Sequence, residues 1–124
     1  MSARRGALGL ATGRVALGAA VLATPEKVTA RWLGSHARHP IVRYLARSLG
    51  VRDLVLGVLA LQTLDDPRIG PRVQAACAVA DSVDALATLA VRSDMPAAGM
   101  IGTVAVAGAA AGAGFYFSHM LARA

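Results

Sequence analysis

From residue 96 to residue 120 the chain carries no Asp, Glu, Lys or Arg. A bilayer core about 30 Å thick is crossed by a helix of about 20 apolar residues. In lipid the backbone must satisfy its own hydrogen bonds, which leaves helices and closed barrels. A helix that is apolar all round has no polar face to turn to water, so a soluble bundle is a poor alternative. Three further apolar segments precede this one, at about 6–24, 41–64 and 69–91. The expected fold is therefore all-α: a single integral membrane domain over residues 1–124, a bundle of four transmembrane helices in the cell membrane.

Composition agrees where it bears on the argument. Hydrophobic residues make up 56% and charged residues 16%, against about 25% charged in an ordinary soluble domain. That balance excludes intrinsic disorder. The single cysteine, Cys77, excludes an internal disulfide framework. The net charge of +6 is scattered between apolar runs without interleaved aromatics, so nucleic acid is not the expected partner. Anionic headgroups of the lipid bilayer are.

The connections are short. Asp65-Asp66-Pro67-Arg68 and Arg92-Ser93-Asp94-Met95-Pro96 have the Asp and Pro content of turns. The longer stretch from Pro25 to Pro40 starts as a helix does, with Thr24 as N-cap, Pro25 at the first position and Glu26 in the first turn. It predicts a short interfacial helix between the first two spans, with Lys27, Arg31 and Arg38 on one face and Val28 and Trp32 on another, broken at Gly34 and Ser35. Trp32 and Tyr44 flank this loop and Phe115 to Phe117 close the last segment, so an up-down layout puts aromatics at both membrane faces. Residues 1–23 can also be read as a signal peptide, with Arg4 and Arg5 before a short apolar stretch and Val21-Leu22-Ala23 at the cleavage site. Arg4, Arg5, Arg68, Arg72 and Arg123 fall on the side of the termini. Lys27, Arg31, Arg38, Arg43 and Arg92 fall opposite, joined by Arg47 if it snorkels. The near balance tips the first loop towards the cytoplasm.

Five charges stand where a spanning helix should have none: Arg14 in the first segment, Arg52 and Asp53 in the second, Asp81 and Asp84 in the third. Each costs about 2.5–3.5 kcal/mol at a helix centre, so they must find one another inside the bundle. Asp81 and Asp84 share a helix face, extended by Gln74, Cys77 and Thr88. Asp53, Gly57 and Ala60 line one face of the second segment. Gly9-xxx-Gly13 and Gly108-xxx-Gly112 have the small-residue spacing of close helix contacts. Two guanidiniums against three carboxylates leave one negative charge, to be met by a proton on Asp53, Asp81 or Asp84, by a cation or by a His. An exchange of Arg52 and Asp81 is one test of pairing. A purely structural role in holding helices together stands beside a functional one.

Other residues carry less. Cys77 fits a small buried hydrophobe, and His36, His39 and His119 sit near segment ends. No converging set of three or four ligands marks a metal site, and the Gly-rich stretches lack nucleotide-binding spacing. The pattern assigns no catalytic residue, cofactor or metal.

Gly13-Arg14, the stretch Leu49-Gly50-Val51-Arg52-Asp53-Leu54-Val55-Leu56-Gly57, and Asp81-Ser82-Val83-Asp84 together resemble a known group. They are similar to small four-helix integral membrane proteins of unknown function from actinobacteria and some fungi. In that group a Gly-Arg, a Gly-x-Arg-Asp-x-x-x-Gly and an Asp-x-x-Asp recur in the first three helices. The resemblance covers about residues 6–91 and implies the four-span fold and the polar cluster, with no activity. Small multidrug transporters share the size but have a Glu in the first helix, where this chain has Arg14.

Three functions follow. The first is an accessory or structural subunit of a membrane assembly, with a membrane protein or a second copy as partner. The second is an enzyme or binding protein for a lipophilic small molecule, with Asp81 and Asp84 as acid and base and Arg14 and Arg52 holding a polar head. The third is a proton- or ion-coupled carrier.

Overall fold

A computed structural model describes residues 2–124. Among these residues the chain forms five α-helices: α1 (Ala3–Ala23), α2 (Pro25–Leu33), α3 (Pro40–Thr63), α4 (Gly70–Ala90) and α5 (Ala97–Arg123). Short 3-10 turns at Gly34–Arg38 and Arg92–Asp94 complete the chain. Local chemistry sets most of the boundaries. The Ser2 hydroxyl accepts the Arg5 N–H and starts α1 three residues before the apolar run. Pro25 opens α2 and Pro40 opens α3, at positions whose N–H would be unpaired in any case. The His39 ring nitrogen accepts the Ile41 N–H at 3.2 Å to cap α3. Gly34, at φ 59° and ψ −134°, ends α2 in a conformation that side chains rarely adopt. Between α3 and α4 the Asp66 carboxylate accepts two backbone N–H groups, from Arg68 and Ile69, each at 2.8 Å.

The helices pack as two pairs, α1 with α3 and α4 with α5. Within the first pair glycines let backbones meet. A Cβ on Gly18 would lie 2.6 Å from the Gly50 carbonyl and the Leu54 nitrogen, and one on Gly57 would lie 2.6 Å from Val15 and 3.0 Å from the Ala11 carbonyl. In the second pair Gly114 lies against Ala78. The ends fix the directions. At one end Arg4 pairs with Asp65 at 2.7 Å, Ser118 donates to the Pro71 carbonyl at 2.7 Å, and the Phe117 ring covers Gly6. At the other, Gly99 of α5 abuts the Trp32 backbone of α2. The four long helices thus run alternately up and down, with the short α2 between α1 and α3.

The core is small: Ala11, Ala60, Val73 and Cys77, edged by Leu56 and Leu61. Large apolar side chains point outwards instead, among them Leu45, Val55, Leu86, Ile101 and Val106. Water would not tolerate that much contiguous apolar surface; lipid does. The protein is a multi-pass integral membrane protein of the cell membrane. Three helices, α1, α4 and α5, are long and apolar enough to cross, by length and composition. The expectation of four is corrected on this point. α3 is long enough at 24 residues, but every 18-residue stretch of it holds at least three of Arg43, Arg47, Arg52 and Asp53.

Candidate functional site

The five expected charges meet at mid-height, on the seam between the helix pairs. Arg14 leaves α1 between Ala11 and Val15, the residues against which Gly57 packs, so it starts beside a close contact of α1 with α3. It donates to Asp53 Oδ1 of α3 at 3.1 Å and to Asp81 Oδ2 of α4 at 2.5 Å. Arg52 of α3 donates to the same Asp53 Oδ1 at 3.1 Å. It also grips both oxygens of Asp84 on α4, at 3.0 and 2.6 Å. The result is a continuous chain of alternating sign: Asp81, Arg14, Asp53, Arg52, Asp84.

The two ends of this chain differ. The side chains of Arg14, Asp53 and Asp81 are 11–14% exposed, whereas Arg52 and Asp84 are 31% and 32% exposed. The Arg14–Asp81 contact is a buried intramembrane ion pair. Arg52–Asp84 lies nearer the lipid, and its two parallel N–H···O contacts give it the stronger geometry for a planar pair. Asp53 serves both cations through one oxygen and so couples the deep pair to the shallow one. The exchange that tests pairing is therefore Arg52 with Asp84, not with Asp81, because Asp81 belongs to Arg14.

The neighbouring polar groups of α4 are mostly self-satisfied. Ser82 donates to the Ala78 carbonyl and Thr88 to the Asp84 carbonyl, each at 2.8 Å. Cys77 is buried one turn from Asp81 within the apolar core. Two buried donors have no partner among the described residues, Arg52 Nε and Gln74 Nε2. Chemically, the chain can tie three helices together.

Outside the membrane the α3–α4 turn holds two ordinary surface carboxylates. Asp65 lies below the usual aspartate range because Arg4 hydrogen-bonds it, and Asp66 does so because the Ile69 and Arg68 N–H groups donate to it.

Of the small residues that the spacing suggested, Gly57 and Ala60 of α3 are buried against the bundle, whereas the two Gly-xxx-Gly pairs are not. Space is open where a Cβ would project from Gly9, Gly13, Gly108 and Gly112. Gly18 and Gly50 join Gly57 in making the close contacts. One sequence signal would have found these two as well: Gly18 lies four residues after Arg14 and Gly50 two before Arg52, as Gly57 lies four after Asp53. A charge that must reach a neighbouring helix needs small residues about one turn away.

Compared with known proteins, the chain matches no protein family, no curated protein and no solved structure. The resemblance to the actinobacterial four-helix group is therefore withdrawn. Five helices, only three of them fit to span by composition, replace its pattern.

Proposed function

We propose that the protein is an accessory or structural subunit that docks laterally against other transmembrane helices. One observation carries this reading. Gly9 and Gly13 on α1 and Gly102, Gly108 and Gly112 on α5 have open space at the Cβ position. Without a hydrophobic force between helices in lipid, association depends on close backbone approach, which small residues permit. The bundle already uses other glycines for its own contacts, so these faces are left for a partner helix. The test is native mass spectrometry of protein taken from membranes in mild detergent. The wild type should carry a stoichiometric partner or second copy, and Gly108→Leu with Gly112→Leu should release it while far-UV circular dichroism is unchanged. A bare wild-type monomer, or leucine variants that keep the partner, would refute the reading.

The same reading takes α3 as a fourth span. Its Arg52 and Asp53 are paired with α1 and α4 at the height of Arg14 and Asp81. Arg43 and Arg47 lie near its first turns, where long side chains reach the headgroups. Single cysteines in a Cys77→Ser background test it in sealed vesicles. His36→Cys and Ser93→Cys should label from one side and Arg68→Cys from the other. Labelling of positions 36 and 68 from the same side would leave α3 in the membrane plane.

A second reading, proton or ion handling or action on a lipophilic molecule, is favoured by the one carboxylate in excess of guanidiniums. In that case Asp84→Asn abolishes turnover or transport in reconstituted vesicles at unchanged abundance. In the structural case abundance falls with the ion pair.

A further inference from the structure

The arginines at the start of α3 take no part in the central cluster. They line, with the short helix α2 and the 3-10 turn after it, an open cavity of about 770 Å³. Four cationic side chains, Lys27, Arg38, Arg43 and Arg47, border it, against one carboxylate, Glu26. Glu26 reaches only Arg38, at 4.0 Å between two well-exposed groups. Among the described residues Lys27, Arg43 and Arg47 have no carboxylate within ion-pair distance. The cavity volume falls within the range of small-molecule sites, roughly 300–1,000 Å³. Its position is that of a headgroup: α2 lies at the end of the bundle where Trp32 meets the start of α5.

A second feature gives the ligand its other half. Arg43 and Arg47 are one turn apart, and continuing down the same helical face brings Leu54 and Val58 under them. A shallow cleft of about 370 Å³ lies there, lined by Leu54, Val55, Val58, Leu59 and Gln62. At 1.5 Å rise per residue, Arg43 is separated from Leu54, the end of the cleft nearest mid-height, by about 16 Å along α3. That is on the scale of one lipid acyl chain in half of a bilayer core about 30 Å thick.

We propose that this face of the protein holds an anionic phospholipid, its phosphate in the basic cavity and an acyl chain running down α3 to the near end of the apolar cleft at Leu54 and Val55. A free phosphate would satisfy the cavity alone; a phospholipid uses both features. The site is separate from the Arg–Asp chain and does not depend on the docking role of α1 and α5.

The experiment is native mass spectrometry of the full chain released from nanodiscs of equal phosphatidylglycerol and phosphatidylcholine content. The wild type should retain phosphatidylglycerol over phosphatidylcholine by about thirtyfold, since Arg43 and Arg47 each add about 1 kcal/mol of attraction to anionic lipid. Raising the salt should weaken the preference. Arg43→Gln with Arg47→Gln should bring the ratio near one, and Arg123→Gln should leave it unchanged. The glutamine side chains sit on exposed positions, and Trp32 fluorescence checks that α2 stays docked. Val55→Asp, at the mid-height end of the acyl chain, should lower lipid retention with the cavity intact. Equal retention of both lipids by the wild type, or an unchanged ratio in the double variant, would overturn the proposal. So would displacement of phosphatidylglycerol by millimolar inorganic phosphate, which would mark a soluble phosphate site.

Discussion

Removing one cation should hurt more than removing the anion it holds. Arg14 serves two carboxylates, Asp53 at 3.1 Å and Asp81 at 2.5 Å, whereas Asp81 has Arg14 as its one cationic contact. In Arg14→Leu, Asp81 is left 11% exposed with no guanidinium, and the cluster retains one cation against three carboxylates. Orphaning a buried charge costs about 3–5 kcal/mol. In Asp81→Leu, Arg14 still holds Asp53, and two guanidiniums face two carboxylates. That loss should be about 1 kcal/mol or less, because replacing a buried ionic group by an apolar one of similar size is often close to neutral. Combining both changes removes the orphan, so the double variant should recover about 2 kcal/mol relative to Arg14→Leu. The assay is reversible unfolding in mixed micelles of increasing SDS fraction. Far-UV circular dichroism follows the helices, and Trp32 emission follows the contact of α2 with α5. Equal losses for Arg14→Leu and Asp81→Leu, or strictly additive losses in the double variant, would refute the asymmetric chain.

Further outcomes follow from single features. Exchanging the signs of the shallow pair, Arg52→Asp with Asp84→Arg, should restore abundance lost in Arg52→Asp alone, as measured by membrane immunoblot; exchange with Asp81 should not. Gly18→Val drives a side chain into the α3 backbone and should destabilise by about 1–3 kcal/mol or more in the SDS assay, whereas Gly9→Ala, with open space around it, should leave stability unchanged. Gly34→Ala must hold a φ near 59° and should cost about 1–3 kcal/mol, read as earlier loss of Trp32 emission. The depressed titration of Asp66 sets a sign. Its folded value lies below the unfolded one, so its contribution is complete above the unfolded value and is lost as pH falls through the folded one. Thermal unfolding should therefore be flat from pH 7 to 5 and fall only in the acid limb, and Asp66→Asn should reduce that limb; a fall between pH 7 and 5 that vanishes in Asp66→Asn would contradict it.

The membrane character and helix order were legible because hydropathy and proline act locally. Pro25 and Pro40 sit at helix starts where their missing N–H costs nothing, and the Asp65–Arg68 turn shows in its own residues. α1 and α5 run past the apolar segments, to the Ser2 cap at one end and to Arg123 at the other, where capping and a last helical turn leave no mark in hydropathy. The charges that had to be paired were also visible, since nothing else in the sequence could offset them. Their partners were not: choosing Asp81 or Asp84 for Arg52 depends on the relative height of two helices. The packing faces failed for a compositional reason. With so much Ala and Gly, several faces of α1 and α5 have small-residue spacing, and periodicity cannot choose among them. The count of four spans fails because length alone admits α3, although every 18-residue stretch of it holds at least three of Arg43, Arg47, Arg52 and Asp53.

The division into helix pairs also bears on how the chain is made. Arg14, Asp53 and Arg52 are mutually bonded without any residue after Asp53. A nascent chain that has emerged only as far as Asp66 already owns both guanidiniums, a carboxylate between them, and the Gly18, Gly50 and Gly57 contacts. On the proposed four-span reading, the first half leaves the translocon as a partly neutralised hairpin with one surplus positive charge. α4 arrives later with two carboxylates, and the waiting cations give this marginal segment a reason to enter the bilayer. Synthesis in the reverse order would present Asp81 and Asp84 to lipid before any counter-charge existed. A circular permutant beginning near Arg68 should for that reason insert α4 poorly, though every contact of the finished bundle is still encoded.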